Sequence, residues 1–177
     1  GQILIQLAKS VGAQVIATAS SAAKRDIARL RGADHVADYV NDHFVDACKV
    51  STAGEGVDVV FDSVGIDTFE RNLRALRRKG LFVHYGANSG ALKPISAMHL
   101  ADSGSLYFTR PRLADYVADA ATLRRRAAHI FDGLVDGSLT VDIDDVVELD
   151  RVVDAHRALE SRKAIGKTVL VIDSSIQ

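Results

Sequence analysis

Short apolar segments rich in β-branched residues alternate with helical segments along most of the chain, and this alternation restricts its fold more than any other feature. The predicted strands are residues 14–19, 34–39, 57–62, 81–86 and 105–109. The segments between them carry apolar residues at helical spacing, as where Ile3, Leu7 and Val11 share one face. Strands that alternate with helices join through right-handed crossovers into a parallel sheet. We therefore predict an α/β protein with a doubly wound parallel sheet.

The composition is that of a globular protein with one domain. Its 177 residues are 47% hydrophobic and 25% charged, and no apolar run is long enough to cross a membrane. Lys and Arg (22) nearly balance Asp and Glu (23), so no bulk charge favours nucleic acid or anionic lipid. Cys48 is the single cysteine, which excludes an internal disulfide framework and favours a reducing compartment, the cytoplasm.

Capping residues predict where several helices begin and end. Ser20 or Ser21 is expected to cap the helix that runs to residue 30, and Asn41 or Asp42 the next one. The helix after residues 57–62 is expected to begin at Asp67 or Thr68, to include Leu76 and to end at Gly80.

The chain changes character after residue 137. Residues 113–134 are predicted to form one long helix or two broken ones, with glycines at the end. Residues 139–143 and 144–149 are typical of edge strands. Asp150 is expected to cap a helix, and residues 166–172 to form the last strand.

Ligands of an open parallel sheet lie across the carboxyl ends of its strands, so the loops after the strands are the candidate site. These loops are small, glycine-containing or hydroxylated, which suits a close approach of backbone to a ligand. They are Ser20–Ser21, Tyr39, Ser63 to Gly65, Gly86 to Ser89, and Thr109 to Pro111.

The loop after the first predicted strand indicates which nucleotide would bind. About twenty residues after a glycine-rich turn, an Asp or Glu usually hydrogen-bonds the ribose 2′-hydroxyl of NAD. This chain has Ser20, Ser21 and Lys24 there, and no carboxylate before Asp26. Hydroxyls with a cation suit a 2′-phosphate, which favours NADPH over NADH. Gly1 stands where the last glycine of such a turn would be, or is an ordinary first residue.

Several segments together carry a family resemblance. They are residues 61–65, 73–80, Gly86, 89–90, 104–111, 155–162 and 166–167. In register from Gly1 to about Ile172, the chain resembles the cofactor domain of the NADPH:quinone oxidoreductases. These are the zeta-crystallin-like, zinc-independent branch of the medium-chain dehydrogenases and reductases.

The resemblance implies a role for individual residues along the bound cofactor. Gly1 resembles the last member of the glycine-rich turn, and Ser20, Ser21 and Lys24 would hold the adenosine phosphate, with Tyr39 beside them. Ser63 and Val64 would line the path from the adenine to the pyrophosphate, and Gly86, Ala87, Asn88 and Ser89 would follow the ribose nearer the nicotinamide. Phe108, Thr109 and Arg110 would approach the nicotinamide end, and Arg162 would reach over the cofactor from the last helix.

The resemblance also implies how the chain is organised. Residues 1–137 would form the NADPH-binding Rossmann-like domain, and residues 138–177 would return to a GroES-like substrate lobe. The first strand, the upstream glycines and most of that lobe are expected to be missing, so we assign no catalytic residue and expect the isolated chain to be inactive. A homodimer joined through the edge strand from Ser105 to Thr109 is expected.

The implied reaction is hydride transfer from NADPH to a quinone or a similar electron-poor enone. The six histidines show no ligand spacing with Cys48 or with each other, so we expect no metal. Two alternatives stay open. One is a zinc-dependent alcohol dehydrogenase of the same superfamily. The other is a non-catalytic structural or RNA-binding protein, in which the arginine faces that include Arg71 and Arg74 would bind RNA.

Overall fold

Helices and parallel strands alternate in the computed structural model, which describes residues 1–40, 44–161 and 164–172. The elements are α1 (Gln2–Ser10), β1 (Ile16–Ala19), α2 (Ala22–Leu30), β2 (His35–Asp38), α3 (Phe44–Ser51), β3 (Val57–Asp62), α4 (Phe69–Ala75), β4 (Leu76–His84), α5 (Ala97–Asp102), β5 (Tyr107–Thr109), α6 (Leu113–Tyr116), α7 (Ala120–Val135), β6 (Ile143–Glu148), a 3₁₀ turn (Leu149–Arg151), α8 (Val152–Glu160) and β7 (Lys167–Val171).

All strand pairs in the described residues are parallel. β1 pairs with β2, β3 with β4, β4 with β5, and β6 with β7. β1 and β2 form the first sheet, and β3, β4 and β5 form the second. Within each of these two sheets, crossover helices join consecutive strands, as a doubly wound fold requires. Their carboxyl ends carry Ser20, Tyr39, Ser63, Tyr85 and Arg110. The α/β fold predicted from the alternation is therefore confirmed.

Two apolar clusters hold the strands against the helices. The first centres on Phe82, which is fully buried in β4 and stacks on Phe69 of α4 with 5.6 Å between ring centroids. The second consists of Ala37, Phe44, Cys48 and Ala75. Burial of Phe and Leu side chains contributes about 1.5–3 kcal/mol each, so these clusters fix how α3 and α4 pack against β2 and β4.

The boundary between α4 and β4 differs from the prediction, because the helix ends at Ala75 and not at Gly80. Leu76 is already extended and pairs with Val57 of β3, and the register then shifts so that Val59 pairs with Leu81. The backbone just before β3 lies against this boundary, since a Cβ on Gly56 would lie 2.7 Å from the Ala75 carbonyl oxygen. Pairing with β3 thus overrides the helical propensity of residues 76–79.

Three further predictions are corrected. The expected edge strands of residues 139–149 reduce to β6, and Asp150 lies in the 3₁₀ turn, so that α8 begins without a side-chain cap. β5 begins at Tyr107, because Ser105 has φ +56°, which is incompatible with a strand. For residues 113–134, the second of the two predicted alternatives is observed: they form two helices, and Asp119 caps the second by accepting from Thr122 N at 2.8 Å. Asn41 and Asp42 lie outside the described residues.

The sheet of β6 and β7 is tied to the first helix. Gln6 of α1 donates to the Thr140 carbonyl at 2.9 Å and accepts from Thr140 N at 2.8 Å, and Gln2 donates to the Ile165 carbonyl at 2.9 Å. Arg31 pairs with Asp142. These polar contacts place the C-terminal strands beside the N-terminus of α1.

Candidate functional site

The turn between β1 and α2 gathers the residues predicted to recognise an adenosine phosphate. Ser21 is the N-cap of α2, where its Oγ accepts from Lys24 N at 3.4 Å. Ser20 and Ser21 are exposed, and Lys24 is half-buried. Two hydroxyls and an ammonium therefore lie within one turn of a helix N-terminus, which is itself favourable for an anion.

Arg25 connects this turn to the next strand, which the sequence analysis did not foresee. Its Nη1 donates to Asp38 Oδ2 at 2.9 Å and reaches the Ala19 carbonyl at 3.5 Å. Asp38 Oδ1 in turn accepts from Val40 N at 2.8 Å. The ends of β1 and β2 are thereby held together. The signal in the sequence was a basic residue, Arg25, in the first turn of the helix after β1, and an acidic residue, Asp38, at the end of β2.

Tyr39 lies half-buried at the end of β2, where it packs on the second apolar cluster. Its carbonyl accepts from Arg71 Nη1 at 2.6 Å, and Arg71 also donates to the Asp67 carbonyl at 3.1 Å. The Arg71 guanidinium lies 5.4 Å from the Phe44 ring centroid. Arg71 is thus engaged in contacts between elements, which weakens the alternative in which it binds RNA.

The loops after β3 and β4 form one platform. Asn88 N donates to the Ser63 carbonyl at 3.0 Å, and Ser89 Oγ donates to the Val64 carbonyl at 2.8 Å while accepting from Asp67 N at 3.2 Å. A Cβ on Gly86 would lie 2.9 Å from the Ser63 Cβ. The structure therefore brings together Ser63, Val64 and the loop from Gly86 to Ser89.

Asp62 holds the platform in place from its buried side, which is another role that the sequence analysis missed. Its buried carboxylate accepts from Gly65 N at 3.0 Å and from Thr68 Oγ1 at 2.9 Å, and it contacts His84 Nδ1 at 3.2 Å. Gly65 has φ +104°, and a Cβ there would lie 2.5 Å from the Gly90 carbonyl oxygen. Such a carboxylate, with its acceptor positions occupied, fixes the turn that follows β3.

A cavity of about 680 Å³ adjoins this platform. Ala87, Phe108 and Arg110 all line it, together with His84 and Lys93. Phe108 and Arg110, which were predicted for the nicotinamide end, thus line the same cavity as Ala87, which was predicted for the neighbouring ribose. Thr109 is half-buried in β5, where it pairs with Val83.

Gly1 and Arg162 stand apart from these groups. Gly1 is the N-cap of α1, and a Cβ on it would meet nothing within 4 Å, so no close approach demands glycine there. It lines a small cavity of about 140 Å³ with Asp142 and Lys167. Arg162 lies outside the described residues.

Cys48 packs in the second apolar cluster, and burial raises the pKa of its thiol, against a smaller opposing effect of Lys49. Across residues 1–40, 44–161 and 164–172, no group of three or more His, Cys, Asp or Glu side chains could hold a metal ion. None of the helices described there has the length and apolar character needed to span a membrane.

Comparison with known proteins identifies the family. A family model described as zinc-binding dehydrogenase matches residues 1–125. The chain belongs to this family. Within it, the chain is 39% identical over 143 residues to quinone oxidoreductase 1 of Escherichia coli K12, which covers 81% of this chain and 44% of that protein. It is 34% identical to a 2-haloacrylate reductase of Burkholderia, over 97% of this chain and 52% of the relative.

The solved structures agree with this dehydrogenase family assignment. Escherichia coli quinone oxidoreductase complexed with NADPH superimposes with a TM-score of 0.91 and 37% identity, over 97% of this chain and 53% of that one. The resemblance to quinone oxidoreductases and the Rossmann-like fold are therefore confirmed. The chain spans about half the length of the relatives that it matches.

Proposed function

We propose that this chain is the cofactor-binding part of an NADPH-dependent reductase that transfers hydride to a quinone or a similar electron-poor enone. The observation that carries the proposal is the pair of hydroxyls with Lys24 at the end of β1, in place of the acidic residue that would bind a free ribose 2′-hydroxyl. The two relatives named as quinone and haloacrylate reductases support the acceptor class.

The residues at this turn fit a phosphate. Ser21 Oγ accepts the Lys24 N–H, so its own hydroxyl hydrogen is available to donate to a phosphate oxygen. Ser20 and the Lys24 ammonium would complete the contact, and the N-terminus of α2 adds a favourable dipole. Tyr39 would lie beside the same ribose.

The platform would support the rest of the cofactor. Its close backbone contacts at Gly65 and Gly86 make it rigid, so Ser63, Val64 and the loop from Gly86 to Ser89 would present backbone groups to the cofactor without reorganisation. Phe108, Thr109 and Arg110 would lie towards the nicotinamide, and Arg162 would reach over the cofactor. When bound, NADPH supplies the hydride, and the role of these residues is to orient it.

The domain division is part of the proposal. Residues 1–137 would form the cofactor domain. Residues 138–177 would lead to the substrate lobe. Gln2 and Gln6 of α1 tie this segment to the cofactor domain through their hydrogen bonds with Ile165 and Thr140, which precede β7 and β6. The same proposal places the catalytic residues in the substrate lobe, outside this chain. It also holds that the reaction requires no zinc ion.

The edge of the three-stranded sheet supports a homodimer. β5 pairs only with β4 among the described strands, and Tyr107 on it is 64% exposed. An unpaired edge favours pairing with another strand, and a second copy of β5 would extend the sheet. A cytoplasmic location is proposed because Cys48 is a free, buried thiol.

The proposal is tested by titrating the chain with NADPH and with NADH in a calorimeter. Because one charge-assisted contact contributes about 1.5–3 kcal/mol, we expect NADPH to bind about tenfold or more tightly than NADH. Equal affinities would contradict the assignment of Ser20, Ser21 and Lys24.

A further inference from the structure

A partly buried ion pair joins the turn between β1 and α2 to the neighbouring strand. Arg25 Nη1 lies 2.9 Å from Asp38 Oδ2, and the two side chains are 22% and 18% exposed. Arg25 is in the first turn of α2, whereas Asp38 is the last residue of β2 and the register partner of Ala19 at the end of β1. The Asp38 carboxylate therefore lies beside the strand end that leads into Ser20 and Ser21.

Asp38 brings a negative charge close to the place where a ribose phosphate is proposed to bind. Neighbouring strands are about 4.7–4.9 Å apart, so the end of β2 is one strand spacing from the end of β1. A phosphate monoester carries about 1.5 to 2 negative charges at neutral pH, and a carboxylate nearby repels it. A carboxylate also accepts a hydrogen bond from a free ribose hydroxyl. An uncompensated Asp38 would therefore disfavour a 2′-phosphate and favour a free 2′-hydroxyl.

Arg25 compensates the charge of Asp38. Its guanidinium is always protonated in proteins. Besides contacting Asp38 Oδ2, its Nη1 reaches the Ala19 carbonyl at 3.5 Å, so the positive charge lies between the two strand ends. The other carboxylate oxygen, Asp38 Oδ1, accepts from Val40 N at 2.8 Å. Each oxygen of Asp38 thus accepts from a donor of the protein, and the negative charge is neutralised within the ion pair.

A second ion pair on the same helix lacks these features. Arg29 Nη1 lies 2.6 Å from Asp26 Oδ1, with side chains that are 56% and 72% exposed, so water screens both charges. Both residues belong to α2, so this pair joins no neighbouring strand. Arg25 thus differs from an arginine one turn along the helix in its burial and in its partner on β2.

We propose that Arg25 is a positioning residue that determines cofactor specificity through Asp38. By holding and neutralising this carboxylate, Arg25 lets the turn between β1 and α2 accept a ribose 2′-phosphate and keeps Asp38 from accepting a free 2′-hydroxyl. This inference rests on the proposed function, because it concerns the same turn. It goes further, since the preference for a 2′-phosphate then depends on a residue besides Ser20, Ser21 and Lys24.

The test breaks the ion pair from each side and measures the preference for 2′,5′-ADP over 5′-AMP by calorimetry. Arg25→Gln leaves the negative charge of Asp38, so we expect the preference to fall about fivefold or more, through weaker binding of 2′,5′-ADP. Asp38→Asn breaks the same pair but leaves the positive charge of Arg25, so we expect the preference to rise about twofold or more. The matched control Arg29→Gln removes the same charge at an exposed site of α2 and is expected to leave the preference unchanged.

Opposite changes in the two variants separate a charge effect from a structural one, because a pair that only stabilises the turn would give the same result when either partner is replaced. A fall of the preference in both variants would overturn the inference, and so would an unchanged preference in Arg25→Gln. If Arg25→Gln does not fold, Asp38→Asn decides alone, and a preference that does not rise overturns the inference.

The unaltered chain separates this inference from the proposed function. If it prefers 2′,5′-ADP and Arg25→Gln keeps that preference, only the inference about Arg25 fails. If the unaltered chain binds the two nucleotides equally, the proposed function fails together with the inference.

Discussion

Replacing Gly65 by alanine tests whether the platform positions the cofactor. Gly65 has φ +104°, and the added Cβ would lie 2.5 Å from the Gly90 carbonyl oxygen, so this backbone must move. A side chain in this region of φ costs about 1–2 kcal/mol. The movement also disrupts two hydrogen bonds, from Gly65 N to Asp62 and from Ile66 N to the Gly90 carbonyl, each contributing about 1 kcal/mol.

The matched control is Gly137→Ala. Gly137 also has a positive φ of +81°, but a Cβ there would meet nothing within 4 Å. Urea unfolding is expected to show a loss of about 1–2 kcal/mol for the control and about 3–4 kcal/mol for Gly65→Ala. Calorimetry is expected to show weaker NADPH binding for Gly65→Ala alone. Equal loss of stability and unchanged NADPH affinity in both variants would refute the role of the platform.

Three other predictions concern the core, the thiol and the edge strand. Phe82→Ala is expected to lower the free energy of unfolding by about 3–5 kcal/mol, because Phe82 is fully buried; a loss below about 1 kcal/mol in urea unfolding would contradict this. Burial raises the pKa of Cys48, so at mildly alkaline pH iodoacetamide should label it much faster in the urea-unfolded chain, and equal rates would count against a packed thiol. Tyr107→Lys is expected to convert a dimer to a monomer in sedimentation experiments at micromolar concentration, whereas an unaltered chain that is already monomeric would exclude pairing through β5.

The regular part of the fold was predictable because its signals are local. Residues 57–62 were predicted as a strand and form β3 at the same bounds, since a short run of β-branched residues between turn residues favours a strand. Ser21 was one of two expected caps and is the N-cap of α2. Where a contact between distant segments decides the secondary structure, the prediction was wrong. The sequence of residues 76–79 favours a helix, but Leu76 pairs with Val57 in the sheet.

The candidate site was predictable as a set of loops, but not as a set of contacts. Strand ends mark where Ser63 and Ser89 lie, yet nothing local indicates that Ser89 bonds to Val64. His84 was treated as one of six histidines without ligand spacing, because its partner Asp62 is 22 residues away in the chain and is adjacent only through strand pairing. Arg71 was likewise considered only as part of an RNA-binding arginine face, although it contacts Tyr39 and Phe44.

The central claim is that the turn between β1 and α2 recognises a phosphate on the adenosine ribose. The direct measurement is a comparison of 2′,5′-ADP with 5′-AMP by calorimetry, in the unaltered chain, in Lys24→Glu, and in Arg124→Glu as a control with the same charge change on exposed α7. We expect 2′,5′-ADP to bind about tenfold or more tightly than 5′-AMP in the unaltered chain and in Arg124→Glu, and the preference to disappear in Lys24→Glu. Equal binding of the two nucleotides, or a preference that survives in Lys24→Glu, would contradict the account.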